Sequence, residues 1–468
     1  MKYCLLLVVI LVSACQSDSC ENLTYIGGQI VNPNTNFITI EREDKVVDTI
    51  FLNDDYSFSY KFDQIEEAVF TFKHEPETQS IYLKPGDSAV FRLNTLEFDE
   101  SLAFGGDSSV ENNFLIDMFL LNESNNDLIL SYYKINPQSF TQKTDSIRER
   151  RMLAFERLQL ENDFSELFTE IAENSIDYEL YDMRERYAFL IRKYLPEKVK
   201  ELPESYFNYR ENVNFNNEKL ISNYSYLRFL DNYLRNKSIE LCESRNRSCF
   251  DLNHYDNLKR RLDLVQDLFT SEYLRANFFN RLIRREIVFS KTEAQLNETI
   301  LTIKDFKLSS LDKTELHELA EIQSKYLVGS DVVDYRLRTS NMDTIRFGDL
   351  DDDRPIVLYT WSVLSPETHK KSFQKIADLE VKYPEVRFIG LNLDLQNPNT
   401  WLNSLRRYNY NLENEFQLIV DTPKHNYGFF RNYLNKVYFI DTSYKIEDNA
   451  LKLHDPYFES ELLALLNN

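Results

Sequence analysis

Glycine is scarce in this chain, with 9 among 468 residues. Loops that hold nucleotide phosphates need glycines at fixed short spacings, because only glycine lets the backbone approach a phosphate closely. No segment has such a spacing, so we expect no nucleotide cofactor and assign no other cofactor. Cations are outnumbered too, since 54 Lys and Arg stand against 76 Asp and Glu, for a net charge of −22. This charge repels phosphate backbones and argues against nucleic acid as a partner.

Apolar runs long enough to cross a bilayer are also lacking. The N-terminal run, residues 4–12, follows Lys2 and is far below the ~20 residues that a transmembrane helix needs. This pattern predicts a cleaved secretory signal. The adjoining Val12-Ser-Ala-Cys15 resembles the lipobox of bacterial lipoproteins. The resemblance implies removal of residues 1–14 and a lipid on Cys15.

With that lipid, residues 15–22 form a tether, and the rest of the chain stands in an extracytoplasmic space, facing the periplasm or the cell surface. The lipid is then the membrane contact. Ordinary secretion with a free Cys15 thiol is the alternative. The sequence decides neither the membrane nor its face.

Cysteines are few, and their spacing gives no metal or redox motif. After Cys4 and Cys15, three remain: Cys20, Cys242 and Cys249. In an oxidising compartment we predict a disulfide between Cys242 and Cys249, with free thiols or an intermolecular bond through Cys20 as alternatives. No C-x-x-C occurs and no Cys/His cluster has zinc-ligand spacing, so no metal site is assigned.

Three regions follow one another along the chain. Apolar and polar residues alternate in short segments over 23–107, which predicts an antiparallel β-sandwich. Its run IYLKPGDSAVFRL resembles the small β-domain that precedes thioredoxin-like domains in many bacterial lipoproteins. Region 108–326 has helical periodicity and predicts an all-α domain of unassigned role. Over 331–468, apolar strands alternate with amphipathic helices, which predicts an α/β domain with a mixed sheet. The predicted strands include 356–361, 416–420, 436–441 and 444–446, and the last predicted helix spans 458–466.

One segment of the last region carries a specific resemblance. RPIVLYTWSVLSPETHKK resembles the periplasmic thiol-disulfide reductases of the thioredoxin superfamily, in which an apolar strand leads into W-C-x-x-C and a helix. The resemblance places Trp361 at the tryptophan of the strand end and Leu364 at the tryptophan before the first cysteine. Ser365 and Thr368 then stand where the two cysteines belong. Further along, NYLNKVYFID places Asn435 in the position of the cis-proline.

The residues at the degenerate site still suit a helix start. Ser365 is expected to cap the helix through its hydroxyl, Pro366 has the φ of a first helical residue, and Glu367 favours the positive end of the helix dipole. Serine and threonine have no disulfide state, so we expect no thiol exchange there and assign no catalytic residue. A hydrolase built from Ser365, His369 and Asp394 is disfavoured against a capping serine and a solvated His369.

Two functions remain open from the sequence. The first is a non-redox module that binds an unidentified protein or peptide, with Trp361, Leu364, Pro366 and Asn435 rimming the former substrate groove. The second is a thiol-disulfide oxidoreductase that uses Cys242 and Cys249 outside the usual site. The partner and the oligomeric state are not predicted.

Overall fold

A computed structural model of the chain describes residues 23–42, 45–74, 77–131, 134–242, 247–252, 254–350, 353–363, 365–395, 398–420 and 432–467. The chain divides into two compact units, with the boundary between Tyr233 and Leu234. Each unit combines β-sheet with helices. Cys15 and Cys20 lie outside the described residues, so the predictions of lipidation and of a Cys20 bond are not addressed by the structure.

The first unit begins with two four-stranded sheets. Their orders are β4-β1-β7-β8 and β3-β2-β5-β6. Alternate side chains from both sheets meet in one apolar core that includes Ile26, Phe58, Phe72 and Phe91, as expected for facing sheets. The strands are β1 Thr24–Val31, β2 Phe37–Arg42, β3 Lys45–Phe51, β4 Ser57–Phe62, β5 Ala68–His74, β6 Glu77–Leu83, β7 Ser88–Asn94 and β8 Ala103–Gly105.

The prediction of a purely antiparallel sandwich is wrong for one pair of strands. β1 runs parallel to β7, from Tyr25 opposite Ser88 to Val31 opposite Asn94, whereas β1 and β4 are antiparallel. Alternation along a strand reports which side chains face the core but carries no information about the direction of the neighbouring strand. The strands were therefore predictable and this pairing was not.

Helices make up the rest of the first unit. Asn136 and Ser165 cap the two longest by accepting hydrogen bonds from Ser139 N at 2.8 Å and Phe168 N at 3.0 Å. The helices are α1 Phe98–Ser101, α2 Ser109–Ser124, α3 Asn126–Leu130, α4 Pro137–Glu161, α5 Glu166–Tyr194 and the first part of α6 Tyr224–Glu240. Short 3-10 segments span Pro196–Glu201, Glu204–Asn212 and Glu218–Leu220.

The second unit continues with helices before its sheet. They are the remainder of α6, α7 Tyr255–Leu268, α8 Glu272–Phe289, α9 Glu293–Thr302 and α10 Ser310–Gln323, with 3-10 segments at Arg247–Phe250, Ile303–Asp305 and Ser324–Tyr326. Within the described ranges, no helix has both the length and the apolar character required to cross a membrane.

A seven-stranded mixed sheet of order β10-β9-β13-β12-β11-β14-β15 dominates the second unit. β11, β12 and β13 are parallel neighbours, and β14 runs antiparallel to β11. The strands are β9 Arg336–Arg338, β10 Thr344–Arg346, β11 Ile356–Trp361, β12 Arg387–Asn392, β13 Glu415–Leu418, β14 Val437–Ile440 and β15 Ile446–Leu451. A 3-10 segment spans Phe347–Leu350, and the helices are α11 Pro366–Lys382, α12 Pro398–Arg407 and α13 Phe458–Leu466.

The predicted mixed sheet with helices is thus observed, with one strand misplaced, but it lies in a unit that starts at Leu234 and not in a separate domain over 331–468. The sequence predicted a strand at 444–446, but Tyr444 has φ +61° and lies in a turn, so β15 starts at Ile446. On β11, Val357, Tyr359 and Trp361 share a core with residues of α11, α12 and α13. The strand ends at the start of α11, where the candidate site lies.

Candidate functional site

The candidate site begins where β11 passes into α11. Asp394, at the end of neighbouring β12, holds this connection: it accepts hydrogen bonds from Ser362 Oγ at 2.6 Å and Val363 N at 2.7 Å. Asn392 Nδ2 donates to the same carboxylate at 2.7 Å. Ser365 N then donates to Ser362 O at 3.2 Å. The site is therefore fixed by a buried acid that belongs to the sheet.

The start of α11 differs from the prediction in its cap. Ser365 stands at the N-cap position and Pro366 follows it in the first turn, but the Ser365 hydroxyl accepts no hydrogen bond from the helix backbone as the structure describes it. Its φ of −128° and ψ of 65° depart from the extended geometry typical of side-chain caps. The prediction of a serine cap is wrong. Leu364 lies outside the described residues, and the side chain of Glu367 is not described.

Trp361 lies in the core and not at the rim of a groove. Its side chain is 1% exposed, and its Nε1 donates to Glu415 Oε2 at 2.9 Å. Strand alternation explains the difference, because Trp361 shares the face of Tyr359, which packs against α11. The prediction that Trp361 lines a partner groove is therefore wrong.

His369 is buried, contrary to the prediction of a solvated residue. It is 2% exposed, and its Nδ1 lies 2.8 Å from Tyr410 Oη. The imidazole packs among the rings of Trp361, Phe373 and Tyr408. Since Asp394 is engaged by Ser362 and the backbone, the contacts of both residues are those of a packed core and not of a hydrolytic triad.

Asn435 reaches the same end of β11 from a turn. Its N donates to Thr360 O at 3.2 Å, and Lys436 N donates to Thr360 Oγ1 at 2.9 Å. Asn435 is exposed and has φ +59°. This left-handed conformation is tolerated by asparagine but closed to proline, whose ring fixes φ near −65°. Asn435 thus lies beside the end of β11 with a backbone conformation that proline cannot adopt.

Beneath Trp361 lies a buried acid that the sequence analysis missed. Glu415 is 2% exposed, and it accepts from Tyr359 Oη at 2.5 Å as well as from Trp361. Burial raises the pKa of Glu415 to about 8, despite the opposing effect of both hydrogen bonds. Gly390 leaves the room for this carboxyl, since a Cβ there would overlap it.

A cleft of about 470 Å³ opens between α11 and the segment 408–415. We call it the α11 cleft; its lining includes Tyr359, Phe373, Glu380, Tyr408, Tyr410 and Glu415. Phe373 and Tyr410 stack with ring centroids 3.4 Å apart. Its volume falls in the range of small-ligand sites. Its lining combines aromatic rings with polar and charged side chains, among them Lys370, Glu380 and Glu415.

A second buried ionisable side chain, that of Lys436, directly follows Asn435 in the chain. Lys436 is 1% exposed, and its Nζ donates to Val288 O near the end of α8. Rings of Phe289, Tyr433 and Tyr438 surround the ammonium group at 5.1 to 5.4 Å. Burial lowers the pKa of Lys436 to about 7. The lysine thereby ties the sheet to a helix within the second unit.

Cys242 and Cys249 form a disulfide in the structure, with Cα atoms 5.8 Å apart. They are 7% and 1% exposed, and Asn257 Nδ2 on α7 donates to Cys249 O at 2.9 Å. Among the residues described, no group of three or more His, Cys, Asp or Glu is placed to hold a metal ion.

The missed residues had weak signals in the sequence. Gly390 interrupts an apolar strand, which indicates close approach of another group. Glu415 adjoins the apolar run that starts at Phe416, and it falls outside the predicted strand because acids rarely begin one that is fully buried. Lys436 begins a predicted strand, without any sign of its burial. Which acid would approach Gly390 depends on strand order, which the pattern does not give.

Comparison with known proteins finds only distant similarity to solved structures. No protein-family model matches the sequence, and no curated protein matches it. Similar solved structures include the thioredoxin domain of a thiol-disulfide oxidoreductase from Bacteroides vulgatus, at 13% identity and a TM-score of 0.24. The match covers 30% of this chain and 98% of that one.

Two further solved structures are similar over a similar share of the chain. One is a thioredoxin-like protein from Porphyromonas gingivalis, with 17% identity, a TM-score of 0.22, and coverage of 29% of this chain and 88% of that one. The other is a peroxidoxin from Mycobacterium tuberculosis, with 18% identity, a TM-score of 0.22, and coverage of 30% and 96%. Likenesses this distant carry no argument about activity.

Proposed function

We propose that this chain is a lipid-anchored protein of the cell envelope whose thioredoxin-like domain binds a protein or peptide without redox chemistry. The observation that carries the proposal is the pair Ser365 and Thr368, which stand at the start of α11 in place of two cysteines. Thiol exchange requires a thiolate to attack and a second sulfur to resolve the mixed disulfide. Neither hydroxyl can take either role.

The surroundings of the site support the same proposal. The left-handed Asn435 replaces a residue that, in the resembled family, is a cis-proline beside the substrate. The hydrogen bond from Asn435 N to Thr360 O holds the turn at 432–435 against the end of β11, and α11 starts shortly after the same strand. A surface of this kind retains shape for recognition while lacking the reacting atoms.

The alternative oxidoreductase would use the Cys242–Cys249 bond. Both sulfurs belong to buried residues, whereas disulfides that exchange with substrates are exposed or strained. This observation favours the non-redox proposal, and the same assay separates the two. The membrane attachment is a separate part of the proposal and rests on Val12-Ser-Ala-Cys15 alone.

The decisive experiment measures insulin reduction by the purified protein and by a Cys242→Ser/Cys249→Ser variant. We expect no activity above the background from either. Activity that is lost in the variant would instead establish the alternative, and activity that survives would contradict the assignment of the site. For the anchor, Cys15→Ser should move the protein out of the membrane fraction, and a variant that stays there after a high-salt wash would contradict the lipoprotein proposal.

A further inference from the structure

The α11 cleft has a feature that the proposed function does not use, namely two acids facing aromatic walls. Glu415 closes its inner end and Glu380 lies half-buried on α11. Burial raises the pKa of both carboxyl groups. For Glu380, Asn414 and Arg354 oppose that effect without cancelling it. Because both acids lie partly or fully out of water, an ionised carboxylate here attracts a cation more strongly than an exposed one does. At neutral pH the pairing also requires Glu415 to lose its proton.

The walls of the cleft suit a cation as well. Phe373 and Tyr410 present stacked rings, and at the rim the Lys370 ammonium already lies 5.5 Å from the centroid of Tyr408. Aromatic faces attract cations, and a guanidinium suits such a wall best, because its plane stacks on a ring while its edges donate to carboxylates. Rings and acids occur together in this cleft.

We propose that the α11 cleft binds an alkylguanidinium group, with Glu415 and Glu380 as its anionic partners and the Phe373 and Tyr410 rings as its wall. The volume of about 470 Å³ accommodates such a group with its alkyl chain. The net charge of −22 draws cationic ligands toward the protein. The proposal does not involve Ser365 or Thr368, so it stands or falls separately from the proposed function.

The alkylguanidinium group could belong to a free small molecule or to an arginine side chain of a polypeptide. Two probes distinguish them: ethylguanidinium, and the peptide acetyl-Gly-Arg-Gly-amide. The matched neutral ligand is the same peptide with citrulline in place of arginine, which keeps the shape and removes the charge. Binding of ethylguanidinium indicates the small molecule, and binding of the arginine peptide alone indicates a polypeptide source.

The experiment is calorimetric titration of the whole protein and of three variants. Glu415→Gln and Glu380→Gln should each weaken binding about tenfold or more, because each removes a charged hydrogen-bond acceptor. Glu385→Gln is the matched control, since Glu385 is an exposed acid of the same domain outside the cleft lining, and it should bind as the unmodified protein does. Glu380→Gln keeps the test valid if Glu415→Gln fails to fold.

The pH dependence adds an independent readout. Affinity should rise between about pH 6.5 and about pH 8.5 as Glu415 ionises, and Glu415→Gln should abolish the rise. Tyr359, Tyr410 and Glu380 face Glu415, Lys370 lines the same cleft, and His369 Nδ1 lies 2.8 Å from Tyr410 Oη. Both tyrosines stay neutral in this range because burial raises their pKa. No saturable binding of either probe, equal binding of the citrulline peptide, or equal weakening by Glu385→Gln would overturn the proposal.

Discussion

The carboxyl group of Glu415 occupies the space into which a side chain at Gly390 would project. The two residues sit opposite each other on the parallel strands β12 and β13. A buried acid and a strand glycine are each unfavourable alone, the first through desolvation and the second through backbone entropy. Together they form one arrangement in which Tyr359 and Trp361 hold the acid.

Gly390→Ala should therefore destabilise the second unit by about 1–3 kcal/mol, the usual cost of overpacking. The measurement is urea denaturation. In the background of Glu415→Ala, which removes the carboxyl, the same glycine substitution should cost much less, so the two changes should be strongly non-additive. Additive costs would show that the carboxyl is not what excludes a side chain at position 390.

Lys436 should make stability depend on pH. Its folded pKa is about 7, below the ordinary lysine value of 10.5. Between these values the unfolded chain holds more protons, so the free energy of unfolding should rise with pH from about 7 to 10.5. Below about pH 7 the lysine is protonated in both the folded and the unfolded chain, so its contribution to the free energy of unfolding no longer changes with pH. In that range the buried charged amine destabilises the folded state by on the order of a few kcal/mol.

Lys436→Met is the test, because methionine fills similar space without the charge. The difference in unfolding free energy between the variant and the unmodified protein should favour the variant at about pH 6 and shrink as pH rises. Asp448 and Lys291 are the charged neighbours, and Lys291→Met is the control that should not reproduce this profile. A pH-independent difference for Lys436→Met would contradict the shifted pKa.

At position 435, substitution by glycine should leave the stability almost unchanged, whereas substitution by proline should lower it. Asn435→Gly keeps the left-handed turn and should change stability little, whereas Asn435→Ala should cost about 1–2 kcal/mol. Asn435→Pro should cost about 3 kcal/mol or more, because φ is +59° and the N–H donates to Thr360 O. Thermal or urea denaturation of the three variants gives the ranking. A proline variant more stable than the alanine variant would show that the turn can be rebuilt.

The bond between Cys242 and Cys249 should form in the native compartment. Unreduced peptide mapping by mass spectrometry should recover the two cysteines in one linked product. Replacing both by serine should cost on the order of 2 kcal/mol, since the sequence separation of 7 closes only a short loop. Cys20→Ser is the control and should leave the linked product unchanged. Recovery of two free thiols would contradict the pairing.

Much of the second unit followed from the sequence. The strand Ile356–Trp361 and the helix Phe458–Leu466 match their predicted bounds, because the first is an apolar run of strand length and the second has apolar residues at helical spacing. The predicted start of β15 was wrong for two reasons. Apolar and polar residues alternate only weakly along this strand, and Tyr444 lies in a turn with positive φ, which its residue type does not indicate.

The candidate site was predicted less completely. The resemblance to thioredoxin-superfamily reductases singled out Ser365 and Asn435, and in the structure both lie near the end of β11. The burial of Trp361 and His369 was not readable from the sequence. Their exposure depends on which helix covers that face. Gly390 and Glu415 lie on two neighbouring strands of the sheet. Their contact could not be predicted without the order of the strands.

Because β1 pairs with β7, which lies much later in the sequence, the pairing of β1 can be completed only after residue 94 has been synthesised. β1 ends at Val31, but its two partners finish only at Phe62 and Asn94. A chain emerging from its N-terminus therefore carries one unmatched strand edge until residue 94 has been made, and contacts so far apart in sequence form slowly. A nascent chain shorter than this exposes a sheet edge capable of pairing with other chains. One edge of β1 therefore stays unpaired for longer during synthesis than it would in a row of simple hairpins.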